Sequence, residues 1–131
     1  MITSKLITAT SVTVPEKVFT ATQDGSSVPN ASTNPGQTTA ITTMVLCNIG
    51  AVDIADESVN TVNVNIYLVK NGSSAGTSNI IVSNLTVPAG ETVFFSDEKI
   101  VLDGSGNSAD EIWIGTSAAS LITATISSLQ V

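Results

Sequence analysis

Residues Thr61-Val62-Asn63-Val64-Asn65-Ile66-Tyr67-Leu68-Val69 alternate between apolar and polar positions along most of their length. Side chains of an extended chain point to opposite faces in turn. Val62, Val64, Ile66 and Leu68 therefore share one face, and Asn63, Asn65 and Tyr67 the other. A strand patterned this way buries one face only, which is the condition of an antiparallel sheet packed on one side. It stops at Lys70-Asn71-Gly72, where Asn-Gly favours a turn with positive φ. No helix uses a period of two, so this segment commits the chain around it to a sheet.

The rest of the sequence agrees. Segments rich in Val, Ile and Thr, whose branched side chains suit a pleated surface, predict strands near Leu6–Val14, Lys17–Thr22, Thr39–Ile49 and Asn79–Val87. Others are expected near Thr92–Ser96, Lys99–Leu102, Glu111–Gly115 and Leu121–Val131. Pro88-Ala89-Gly90, Asp103-Gly104-Ser105-Gly106-Asn107 and Thr116-Ser117-Ala118 supply turns between them. Short strands separated by turn clusters predict an all-β antiparallel sandwich, jelly-roll-like, of about eight strands, and not βαβ units. A chain of 131 residues makes one domain with one core. Leu-Ile-Thr-Ala-Thr occurs twice, at 6–10 and 121–125, which ordinary strand composition accounts for.

Composition excludes several chemistries. The chain has four basic residues, all lysine, eleven acidic residues and no histidine, for a net charge of −7. Without histidine there is no Ser-His-Asp or Cys-His nucleophile system and no imidazole metal ligand. Without arginine there is no bidentate clamp for phosphate, and four scattered lysines make no nucleic-acid footprint. The balance argues against an enzyme and against binding to nucleic acid or an anionic membrane. Gly72-Ser73-Ser74-Ala75-Gly76 matches the nucleophile-elbow pattern around Ser74, but that motif needs a helix after it and a histidine beside it. Asp103–Asn107 with Asp110 and Glu111, and separately Asp53, Asp56 and Glu57, offer oxygens of the kind calcium takes. The first group lacks the glycine and the final glutamate of the calcium loop, so both read as solvated turns and no cofactor is expected.

The apolar positions outside the obvious core raise other questions. Cys47, in Met44-Val45-Leu46-Cys47, reads as a small core residue. Phe94 and Phe95 must point to opposite faces, one inward and one outward. Trp113 points away from Ile112 and Ile114, which leaves two placements open, an exposed binding anchor or a partly covered side chain. The stretch 23–37, with Pro29 and Pro35, has few residues able to enter a core and reads as a long loop or as an arm lying on a neighbouring subunit. The start of the chain, residues 1–14, reads as an N-terminal arm, while Met1–Ile7 is too polar for a signal peptide. The expected place of synthesis is therefore a cytoplasm.

Three stretches carry a resemblance: Thr43-Met44-Val45-Leu46-Cys47-Asn48-Ile49-Gly50, Val62–Val69, and Leu85-Thr86-Val87-Pro88-Ala89-Gly90-Glu91-Thr92-Val93, closed by Leu121-Ile122-Thr123-Ala124-Thr125. This text resembles small all-β virion structural proteins of tailed bacteriophages, in which a strand ending in Cys-Asn-x-Gly and a Pro-Ala-Gly turn occupy similar places. The acidic connection Ala51–Asn60 is longer than that pattern has. The resemblance implies a jelly-roll-like sandwich without catalysis on the head, neck or tail surface of a virion. The leading expectation is a capsid decoration protein that binds the major capsid lattice as a homo-oligomer, a trimer by preference, through Met1, Ile2, Lys5, Leu6, Pro29, Pro35 and Trp113. The alternatives are a neck, tail or fibre-associated protein of the same fold, and a carbohydrate-binding sandwich using Trp113, Tyr67 and the acidic turns.

Overall fold

The computed structural model describes residues 1–21, 38–70, 72–96, 100–104 and 109–130. Among them are nine strands and no helix: β1 Ile2–Leu6, β2 Glu16–Thr20, β3 Thr38–Asn48, β4 Val62–Val69, β5 Ile80–Val87, β6 Thr92–Phe95, β7 Ile100–Asp103, β8 Glu111–Thr116 and β9 Ile122–Gln130. They form two antiparallel sheets. Sheet A has the order β1-β9-β3-β6, with β7 also on β3, and sheet B the order β2-β8-β4-β5. The architecture is a β-sandwich.

The pairings nest. β1 lies on β9, β2 on β8, β3 on β6 and β7, and β4 on β5. The described chain is therefore one long hairpin, with its tip between β4 and β5, rolled so that alternate pairs fall in opposite sheets. β9 then closes on β3, and β4 on β8. β6 and β7 share one edge of β3, Met44–Cys47 pairing with β6 and Thr38–Ile41 with β7.

The alternation in β4 does what its period requires. Val62, Val64 and Ile66 are fully buried between the sheets, facing Met44, Leu46, Ile122 and Ile126 of sheet A. Ile112 and Ile114 of β8 complete the layer. The core cluster is mostly β-branched, with Phe19 the buried aromatic ring among them, and each such side chain contributes about 2 kcal/mol by leaving water. In β2 the register slips between Lys17 and Phe19. This bulge turns both Val18 and Phe19 inward, where strict alternation would expose one of them.

The beginning of the chain departs from expectation. The predicted strand at Leu6–Val14 is instead β1 at Ile2–Leu6, followed by a strap that passes from sheet A to the outer face of sheet B. Residues 1–14 are thus part of the sandwich and not a free arm: Ile7 is fully buried, and the Met1 ammonium donates to the Ser128 carbonyl at 2.7 Å. The two Leu-Ile-Thr-Ala-Thr copies are neighbours, since Leu6 pairs with Thr123 and Ile7 N–H donates to Ile122 O at 2.8 Å. Three side-chain hydrogen bonds hold the strap at two of its carbonyls. Thr116 Oγ1 donates to Ala9 O at 2.9 Å, Tyr67 Oη to Val12 O at 2.7 Å, and Asn65 Nδ2 to the same oxygen at 3.3 Å. Gly115 makes the approach possible, because a Cβ there would run into the Val12 carbonyl. Glu16 closes the strap, accepting Thr8 N–H at 2.6 Å and Thr8 Oγ1 at 2.9 Å with Lys5 Nζ 3.5 Å away.

Two consequences are measurable. Gly115→Ala should displace the strap and lower stability by about 2 kcal/mol in denaturant unfolding, with loss of the Tyr67 hydroxyl contact. Partial burial pushes the Glu16 carboxyl up, but the Thr8 bonds and Lys5 outweigh it and hold the group below its ordinary 4.5. A carboxyl depressed in the folded state stabilises above its unfolded value, and that contribution disappears as pH falls through the folded one. The stability advantage of the native chain over Glu16→Gln should therefore be present at pH 7 and shrink below pH 4.5. An advantage independent of pH from 7 down to 2 would contradict the assignment (a range of about five units).

Candidate interaction surfaces

Directly opposed residues in an antiparallel ladder point to the same face, so the registers spell out the outer face of sheet A row by row. Leu6, Thr123, Cys47 and Thr92 form one row. Ser4, Thr125, Val45 and Phe94 form the next, in which the Ser4 and Thr125 hydroxyls hydrogen bond at 2.9 Å. Ile2, Ser127 and Thr43 follow, and then Leu129, Ala40 and Val101. No residue in these four rows carries a charge; Asp103, opposite Thr38, lies at the margin. Large apolar side chains stand in water here: Ile2 is 72% exposed, Phe94 67%, Leu129 59% and Val101 54%. Cys47 belongs to this face and is half-buried, so it is not the core residue expected. Phe94 and Phe95 do point apart, Phe95 packing against the core.

Sheet B is different. Its outer face carries the strap, and beside it the ion pairs Lys17–Glu111 at 3.1 Å and Lys70–Asp110 at 3.7 Å. Trp113 stands between Lys17 and Tyr67 in the ladder, half-buried, and its Nε1–H finds no acceptor among the described residues. Of the two placements left open for Trp113, the partly covered one holds. Tyr67 is buried with its hydroxyl committed to Val12, so a sugar platform of Trp113 and Tyr67 does not form.

A second exposed apolar group sits at one end of the sandwich, on the connection from β3 to β4. Ile54 is 98% exposed, and Ile49 and Val52 are also largely in water. With Val59, Pro88 and Ala89, Val52 and Ile54 border an open cleft of about 620 Å³ that Asp53, Glu57 and Glu91 also line. The connection is anchored by the Cys-Asn-x-Gly segment. Buried Asn48 donates through Nδ2 to Asn60 O at 2.7 Å and Val87 O at 2.9 Å, and its Oδ1 accepts Gly50 N–H at 2.8 Å. A Cβ on Gly50 would lie 2.8 Å from the Asn60 Cβ. Within the loop, Asp53 accepts Ala55 N–H, and Asp56 accepts both the hydroxyl and the N–H of Ser58, which hold its carboxyl below the ordinary range. These carboxylates are used as turn acceptors. Among the described residues no three His, Cys, Asp or Glu side chains come together as a metal site.

Sequence reasoning named Met1, Ile2, Lys5 and Leu6 as contacts. Ile2 and Leu6 do lie on the uncharged face, whereas Lys5 is turned to Glu16 and to Lys17 O at 2.8 Å. Pro29, Pro35 and the stretch 23–37 lie outside the described residues. Ser74 lies in the exposed turn between β4 and β5, its carbonyl accepting Asn79 Nδ2 at 2.8 Å, and a strand follows it. Sequence reading missed the joint membership of Val45, Phe94, Val101 and Leu129 in one face. Their spacing within each strand is visible, but only the register aligns them. Asp110, read from the sequence as part of a solvated acidic turn, is instead a buried carboxylate that accepts Asp103 N–H at 3.0 Å.

No protein-family model matches the chain, and comparison with curated proteins gives no match. The surfaces therefore stand on their own geometry.

Asn48→Ala removes three hydrogen bonds at a buried site and should cost about 3 kcal/mol. Hydrogen exchange should show the 49–61 connection losing protection before β8 and β9 do.

Proposed function

We propose that the chain is a non-enzymatic structural protein of a virion, most concretely a capsid decoration protein that attaches to the major capsid lattice. The observation that carries this reading is the separation, among the described residues, of a strapped, ion-paired sheet B from a sheet A whose four outer rows carry no charge. Large apolar side chains gathered on one exposed, uncharged face, here Ile2, Phe94, Val101 and Leu129 among hydroxyl residues, mark contact with another protein. Desolvating its Thr and Ser hydroxyls costs far less than desolvating charge. The phage assignment is supported by the resemblance of the Cys47–Gly50, Val62–Val69 and Pro88–Gly90 segments. Asn48 and Gly50 have a structural reason to occur together at the end of β3.

The strand order supports the finer description of the fold as a jelly roll. That fold is a long hairpin rolled into two four-stranded sheets, and the nested pairs have this arrangement if β6 and β7 count as one interrupted strand. The hydrogen-bonded 49–61 end, with Ile54 held out among carboxylates, is the contact toward the lattice. An isolated apolar side chain rimmed by charge is how binding anchors are presented. Many equivalent contacts of this kind on a shell add up to firm attachment.

The test is a mass-spectrometric count in purified particles. Hundreds of copies per particle support decoration, a dozen or fewer point to the neck or tail alternative, and absence from particles rejects the virion reading. Ile54→Asp should leave the fold intact and weaken attachment about tenfold or more.

A further inference from the structure

We propose that the outer face of sheet A pairs with the same face of a second copy of this chain. The inference rests on reading that face as a protein contact, and it commits to the occupant. Each copy carries a net charge of −7, so two copies repel unless they meet where the charge is absent. Among the described acidic groups, Asp53, Asp56, Glu57 and Glu91 are at or beside the 49–61 end, Glu16, Asp110 and Glu111 are bonded to the strap or to lysines, and Asp103 stands at the margin of the face. The four uncharged rows are the surface on which like-charged copies approach at low electrostatic cost.

The register gives the pairing its form. In a closed pair the same patch faces itself across a two-fold axis. An axis running along the strands, between β9 and β3, sets β1 of one copy over β6 and β7 of the other. Phe94 is level with Ser4, so it enters the space between Ile2 and Leu6 of the partner, and β3 lies over the partner's β9. The face measures roughly 19 by 27 Å from strand spacing and rise, on the order of 1,000 Å² for the two copies together. That is at the lower bound for a specific interface, so the dimer is reversible and concentration-dependent. A face that meets itself across a two-fold axis closes with two copies, not with the trimer expected from sequence.

Salt separates this pairing from attachment to a cationic partner. Screening relieves repulsion between like-charged copies, so the pair should tighten as salt rises, whereas a charge-complementary contact weakens. Sedimentation equilibrium of the purified full chain should show the mass of 13.4 kDa rising towards twice that value between about 5 µM and about 500 µM, more readily in high salt. Phe94→Glu and Phe94→Lys should both hold the chain monomeric with unchanged circular dichroism, although the lysine variant carries less net charge. Ile54→Glu, away from the face, should dimerise as the native chain does. Alkylation of Cys47, in the outermost row, should slow as native protein is concentrated and not slow in either Phe94 variant. A native chain monomeric throughout, a dimer that survives both Phe94 variants, or one that weakens with salt would overturn the pairing. None of these results depends on whether the chain is found in particles.

Discussion

The closing of the first strand on the last governs this molecule. β1 on β9 joins residues more than a hundred positions apart, from Ile2 with Ser127 to Leu6 with Thr123. The other pairs sit inside that closure like the layers of a folded strip. No half of the chain can make a complete sheet, because each sheet takes strands from both arms of the hairpin. β3 is the seam, eleven residues long, paired with β9 along one side and with β6 and β7 along the other. Contacts of such long sequence separation cost loop entropy before they gain anything, so folding of this topology is slow and cooperative.

Closure also explains the traffic at the ends. The passage from β1 to β2 must change sheets, and the strap of residues 7–15 does so over Gly115, tied to Tyr67 and Asn65. The passage from β3 to β4 must also change sheets, and Asn48 bonds to backbone on either side of the gap. Two buried amide side chains, Asn48 and Asn65, thus serve at crossings where backbone polar groups would otherwise lose their partners. The strap lies on sheet B, and among the described residues no connection lies on the outer rows of sheet A. The difference between the faces follows from how the chain crosses between sheets.

That difference is what the functional reading uses. Among the described residues, charge gathers on the strapped sheet and at the 49–61 end, and the four outer rows of sheet A carry none, with Asp103 at their margin. A small protein with one neutral face and one acidic, apolar-tipped end is suited to being held between others. The residues that looked chemically suggestive have local work instead. The aspartates at 53 and 56 cap turns, Tyr67 fastens the strap, and Ser74 belongs to a hairpin connection.

Much of this was legible beforehand for a physical reason. Period-two alternation is a local property, so Val62–Leu68 announced a one-sided strand, and Val-, Ile- and Thr-rich segments located most of the others within a residue or two. The Phe94-Phe95 pair had to split between faces by the same rule. The first strand was misplaced because Leu6–Val14 has strand composition but is drawn off the sheet by Val12 and Ala9 bonding to sheet B. Cys47 was assigned to the wrong face because an apolar run does not say which of its members points inward. By itself the sequence determined the all-β class, the strand positions and the absence of histidine and arginine chemistry, since these follow from composition and nearest-neighbour pattern. Only the tertiary structure decided which strands adjoin, that Leu6, Val45, Phe94 and Leu129 share an uncharged face, and that the strap covers the opposite one. Register and covering depend on residues far apart in the chain, and no local pattern encodes them.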